Sequence, residues 1–129
     1  MPQDTLQDLN AKLLAFARER EWEQFHSPKN LSMALAGEAG ELLEHFQWLS
    51  EEQSADLPTG KKDQVALEMA DILIYLIRLA ERLDIDLVGA AYRKIALNQA
   101  RYPAEQVRGD ARRAEEYDSP PVAPDETGG

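Results

Sequence analysis

Apolar positions recur every three or four residues through most of this chain, and that recurrence predicts four helices. From Asp4 to about Glu21 the residues Leu6, Leu9, Leu13, Leu14, Phe16 and Ala17 fall near helical spacing, with Asp4 or Thr5 as the cap. A second helix is predicted from Pro28, with Ser27 as N-cap and Pro28 at the first helical position, to about Leu49. Its inward stripe carries Leu31, Leu35 and Leu42; Phe46 and Leu49 also point inward, whereas Trp48 lies off that stripe. Residues 50–62 are polar, hold Pro58 and Gly60, and read as a loop. A third helix, from about Lys61 to Leu83, is apolar on every side except one stripe of Gln64, Glu68, Asp71, Tyr75, Arg78 and Arg82. Such a helix should be central, with a metal on one side and a partner subunit on another. Ile85-Asp86 opens a fourth helix reaching about Arg101, and after Pro103 the helical pattern stops. The stretch 108–113 is a short basic patch, and 118–129, rich in Pro and acid, reads as a disordered tail. No repeat and no convincing strand is present. The expected fold is all-α, a four-helix bundle forming one domain over 1–113 with a tail over 114–129.

Composition narrows the class. The 129 residues suit one compact domain, and the absence of cysteine excludes disulfides and thiolate metal sites. A formal charge of −10, from 14 Lys plus Arg against 24 Asp plus Glu, argues against long nucleic acid as a partner while leaving room for a small phosphorylated ligand. Glu68, Asp71 and Arg78 interrupt the most apolar run, which falls well short of the roughly 20 residues that span a bilayer. With no basic and apolar leader at the start, a cytoplasmic protein without membrane association is expected.

Three features depart from a plain bundle. The connector 22–31, W-E-Q-F-H-S-P-K-N-L, carries Trp22, Phe25 and His26 within five residues. These rings plug the bundle end, form a stacking platform for a flat ligand, or do both with different rings in each role. Gly37 and Gly40 lie inside the second helix, each at a cost of roughly 1 kcal/mol relative to alanine, which suggests close approach of a ligand, a backbone or a packed helix. Finally, Glu38 and Glu41 in G-E-A-G-E, and Glu68 and Asp71 in E-M-A-D, form two pairs at i, i+3. Glu38 shares the apolar stripe of its helix. Four acids directed at a helical core repel one another and lose solvation, so a positive group is expected between them. Either a hard divalent cation fills that role, or Arg78, Arg82, Lys94 and Arg101 do so in a structural network. Oxygen donors select Mg²⁺, Mn²⁺ or Ca²⁺ over zinc, for which only His26 and His45 offer nitrogen. The Glu-x-x-His of di-iron bundles and the EF-hand loop are both absent. Mg²⁺ commonly shares its shell with phosphates, which points to a phosphorylated substrate. Lys94, Asn98 and Arg101 recur on one side of the fourth helix, as a solvated face or as a basic clamp.

Taken together, E-x-x-E followed by E-x-x-D on two helices, W-E-Q-F-H-S-P-K-N-L (22–31), F-Q-W (46–48), E-M-A-D-I-L-I-Y-L (68–76), K-x-x-x-N-x-x-R-Y-P (94–103) and R-G-D-A (108–111) resemble the MazG-type nucleoside triphosphate pyrophosphohydrolases, closest to the dCTP pyrophosphatase branch. The wider family often has a further acid where this chain has Gly37; the dCTP branch resembles this chain in having glycine. The resemblance implies hydrolysis of a nucleoside triphosphate to monophosphate and pyrophosphate. It implies Mg²⁺, with Mn²⁺ as a substitute, held by Glu38, Glu41, Glu68 and Asp71, and a glutamate of the first pair as base. It further implies a phosphate and sugar clamp of Lys94, Asn98, Arg101 and Tyr102, with Lys29 and Asn30 added, and a base pocket of Trp22, His26, Trp48 and Tyr75. A homo-oligomer, a dimer of dimers, goes with the family. The expected substrate is dCTP or a base-modified relative; the alternatives are another non-standard nucleotide, such as an oxidised base or dUTP, and a non-catalytic helical binding module.

Overall fold

The structure is a computed structural model that describes residues 5–111. Helices follow one another as α1 (Leu6–Glu19), a single 3-10 turn (Glu23–Phe25), α2 (Pro28–Glu44), α3 (Glu51–Ala55), α4 (Thr59–Arg82), α5 (Leu87–Arg101) and α6 (Ala104–Val107). No strand occurs among the described residues. The contacts divide the chain after Leu87. In the first unit α4 packs along α2 and, less extensively, against α1. The second unit holds α5 and α6. The disordered-tail expectation lies outside the described residues.

Local chemistry accounts for the helix starts. Thr5 caps α1 by accepting from the Asp8 amide, and Ser27 caps α2 by accepting from the Asn30 amide, with Pro28 next in line. Two of the helices end in a left-handed residue that is not glycine. At the end of α1 the Trp22 amide donates to Ala17 O (2.9 Å) and the Glu21 amide to Arg18 O (3.1 Å); at the end of α4 the Ile85 amide donates to Ala80 O (2.8 Å) and the Asp84 amide to Glu81 O (3.2 Å). Both are Schellman stops, with Glu21 (φ 54°) and Asp84 (φ 53°) in the left-handed position usually held by glycine. The apolar contact that accompanies such a stop is present at the first, where Trp22 meets Phe16 edge-on with ring centroids 5.7 Å apart.

Several boundaries differ from the sequence expectation. Helix α2 ends at Glu44 rather than near Leu49, because the chain tightens into turns in which the amides of His45 and Phe46 reach back three residues. The expected loop over 50–62 contains α3, fixed by a capping box in which Ser50 and Gln53 each bond the other's backbone amide. Likewise α6 follows Pro103, where the helical pattern was expected to stop. Close helix packing does not explain Gly37 and Gly40: a Cβ at either position would meet nothing within 4 Å.

The core is small. Ala17, Leu31, Val65, Ile77 and Ala80 are its buried apolar residues, while Leu67, Met69 and Leu73 on α4 and Met33 and Leu43 on α2 are exposed. Relieving the left-handed strain should exceed the entropy that glycine adds to the unfolded chain, so Glu21→Gly should stabilise the fold by about 0.5–1 kcal/mol. Urea unfolding at fixed protein concentration measures this, and a loss of stability would contradict the role given to Glu21.

Candidate functional site

Packing of α2 along α4 brings the two acid motifs together. One carboxylate oxygen from each of Glu38, Glu41 and Glu68 lies within 4.8 Å of the others. Glu38 and Glu68 are half-buried and Glu41 is exposed, so the group sits at the margin of the α2–α4 seam rather than inside a closed core. Asp71, half-buried one turn beyond Glu68, stands outside the tight group of three but adds its charge to it. The Oε2 atoms of Glu38 and Glu68 are both buried and have no hydrogen-bond partner. Desolvated carboxylate oxygens in that position are costly unless something positive meets them.

The arginines of α4 do not neutralise these acids. Arg78 pairs with Glu81 (3.2 Å) and Arg82 donates to the His26 carbonyl (3.1 Å). The ion pairs Arg18–Glu23 and Arg20–Glu19 lie elsewhere. Protonation lets Glu38 share a hydrogen bond with the Glu68 carboxyl; that bond, then burial, then contact with Glu41 and the charge of Asp71 push the Glu38 pKa up to about 7. The donor set fits a hard divalent cation. Metal–oxygen bonds of roughly 2.0–2.6 Å keep the oxygens around one ion within about 5 Å of each other, a limit these three meet, and the unpartnered oxygens are the groups such an ion would satisfy.

The expected base-pocket residues are placed less uniformly. Tyr75 is half-buried on the stripe that carries Glu68 and Asp71. His26 is half-buried, its Nδ1 lying 3.5 Å from Arg78 Nη2. Trp22 is committed on one side to Phe16, whose ring also carries the Arg20 guanidinium at 3.6 Å. Trp48 is 86% exposed, beyond the end of α2. Lys29 is exposed in the first turn of α2, and Asn30 uses its side-chain amide to hold the Phe25 carbonyl (3.1 Å), so it braces the connector. In the second unit Lys94 and Asn98 are exposed one turn apart on α5, and Arg101 lies over the Tyr102 ring at 5.7 Å. The residue whose place sequence reasoning missed is Arg78: it was read as part of a polar stripe and as a candidate partner of the acids, yet it is 2% exposed and turned to Glu81 and His26. Its spacing from Asp71 and Tyr75 on an otherwise apolar helix was the available signal.

Residues 34–116 match the MazG-like family, a span that includes both acid motifs. The chain belongs to that family. Among MazG-like relatives it is 46% identical over 112 residues to dCTP pyrophosphatase 1 of Rattus norvegicus, covering 85% of this chain and 66% of the relative. It is 40% identical over 130 residues to dCTP pyrophosphatase 1 of Homo sapiens, covering 99% of this chain and 76% of the relative. The fold is similar to the crystal structure of a pyrophosphatase from Archaeoglobus fulgidus, with a TM-score of 0.73, 35% identity, and coverage of 80% of this chain and 96% of the other. A MazG-like all-α fold is therefore established. No helix among the described residues is long and apolar enough to cross a membrane.

The raised Glu38 pKa makes the metal-free protein sensitive to pH. Between about pH 4.5 and about 7 the folded state keeps a proton on Glu38 that the unfolded chain releases. Stability is therefore expected to fall as pH rises through that window, and Glu38→Gln should remove this contribution. Mg²⁺ should raise the melting temperature more at pH 8 than at pH 6, because the proton and the cation compete for the same oxygens. Equal Mg²⁺ shifts at the two pH values would separate Glu38 from the cation.

Proposed function

We propose that this chain is a Mg²⁺-dependent nucleoside triphosphate pyrophosphohydrolase that converts dCTP, or a base-modified dCTP, and water to the monophosphate and pyrophosphate. The observation that carries the reading is the group of three carboxylates with two buried, unpartnered oxygens, set in a chain of the MazG-like family. The names of the rat and human relatives favour dCTP as substrate. In this reading Glu38, Glu41, Glu68 and Asp71 hold Mg²⁺, or Mn²⁺ in its place, which supplies neutralising charge for the phosphates. Glu38 or Glu41 accepts the proton of the attacking water. As the water oxygen bonds to phosphorus, the bridge between the α and β phosphates breaks and pyrophosphate leaves. Lys29, Lys94, Asn98, Arg101 and Tyr102 bind phosphate and sugar, and Trp22, His26, Trp48 and Tyr75 receive the base. Asn30 belongs with them as the brace of the connector.

The working form in this reading is a cytoplasmic homotetramer, a dimer of dimers. Leu67 (70% exposed) and Met69 (57%) on α4 support it, as does the open face at Gly37 and Gly40 on α2. Apolar residues of that size on a chain with so small a core call for a covering surface.

Pyrophosphate release from a panel of canonical and modified dNTPs, with Mg²⁺ and with EDTA, tests the reaction. Metal-dependent release strongest with dCTP or its 5-modified forms is expected. Release favouring an oxidised purine nucleotide or dUTP would keep the reaction and reassign the pocket, and no release from well-folded protein would leave a binding module. Glu41→Gln should lower turnover by about 10²–10⁴-fold with the helical circular dichroism spectrum unchanged. Trp48→Ala should raise KM for the preferred nucleotide by the worth of one stacked base, about 1–3 kcal/mol, with kcat retained.

A further inference from the structure

Neither the acid cluster nor the exposed rings account for Arg78. Its side chain is 3% exposed, two turns beyond Asp71 on the same stripe of α4. A buried guanidinium needs partners; Arg78 has two, through Nη1 and Nη2, while its buried Nε has none among the described residues. Nη1 bonds the Glu81 carboxylate at 3.2 Å, and Nη2 faces Nδ1 of His26 at 3.5 Å. One turn on, Arg82 Nε donates to the His26 backbone carbonyl at 3.1 Å. His26 is thus gripped through ring and backbone by two residues 52 and 56 positions away.

A guanidinium carries donors and no acceptor, and it does not release its proton in a protein. The ring nitrogen facing it must therefore present a lone pair. With Nδ1 bare, the single proton of the neutral ring sits on Nε2. An imidazolium would turn an N–H toward a cation. We propose that Arg78 is a positioning residue that locks His26 as the neutral Nε2–H tautomer, so that His26 meets its ligand as a fixed hydrogen-bond donor. The charged groups around the ring agree with this. Burial, then Arg78, then Arg82 hold the His26 pKa below its ordinary value, against the opposing charge of Glu23 on the connector, while Glu81 is already engaged by Arg78. The functional consequence rests on the base-pocket role proposed for His26. A donor fixed in this way selects an acceptor on the base edge, a ring carbonyl or an unprotonated ring nitrogen, and rejects an edge that offers only N–H.

The chain has two histidines, so long-range ¹⁵N–¹H spectra of their side chains in the full protein, assigned with a His45→Gln variant, read the tautomer directly. The proton of His26 is expected on Nε2 at pH 7. A proton on Nδ1, or a doubly protonated ring at that pH, overturns the assignment. In folded Arg78→Met the His26 titration should move up and the second tautomer should appear. KM for the preferred nucleotide should then rise about 2- to 10-fold, the range of one neutral hydrogen bond, while kcat stays within about twofold. Arg78→Lys, which keeps the charge but not the planar fork, serves if the methionine variant does not fold. An unchanged tautomer and titration in a folded variant would also overturn the assignment. A changed tautomer with unchanged KM upholds Arg78 as the positioning residue of His26 and removes His26 from the nucleotide pocket.

Discussion

Glu38 and Glu68 meet across the α2–α4 seam with a buried oxygen each that has no hydrogen-bond partner among the described residues. Such a meeting lowers the stability of the metal-free fold, since the charges repel and solvent is partly withdrawn. Leu31 on α2 and Val65 and Ile77 on α4 are buried and α2 packs along α4, so helix packing carries the acids together against their own repulsion. The apolar packing fixes the register of α2 on α4, and the register fixes which acids meet. Glu38 answers the conflict by holding its proton, and a divalent cation would answer it by taking that proton's place.

Much of this was legible from spacing alone. The four main helices, the Ser27 cap, the central position of α4 and the convergence of the two acid motifs follow from apolar periodicity and i, i+3 spacing. Other features were written in the sequence but masked by composition. Ser50 and Gln53 form a capping box inside a segment that its polarity, proline and glycine mark as loop. Two choices left open by spacing are narrowed by geometry. Arg78 and Arg82 turn toward Glu81 and His26, which removes them from a network with the acids, and open space beside Gly37 and Gly40 removes intrachain packing as their cause. Spacing placed Arg78 on the stripe of Asp71 and Tyr75 but did not show its partners, because a polar stripe on a helix reads the same whichever segment its far end meets.

The connector between α1 and α2 shows how one short segment serves two ends. The Schellman stop of α1 orients Trp22 onto Phe16, which gives that ring a structural reason independent of any ligand. Asn30 then ties the Phe25 carbonyl to the start of α2, and Arg82 ties the next carbonyl, that of His26, to the end of α4. Plugging the bundle end and presenting rings to a ligand are compatible for this stretch, since the ties of the connector run through backbone carbonyls and the Trp22–Phe16 contact uses one side of a ring.

Helix α4 runs unbroken for 24 residues, with its acids near the middle and its His26-gripping arginines near the end. Ten residues separate Glu68 from Arg78, about 15 Å along the axis. An unbroken helix therefore works as a ruler. It sets a fixed interval between the acids proposed to hold a metal and the arginines that grip His26, of the same order as an extended nucleoside triphosphate from its phosphates to its base. Inserting or deleting one residue between these points would rotate one relative to the other by about 100°, so the interval is guarded by helical phase as well as by length.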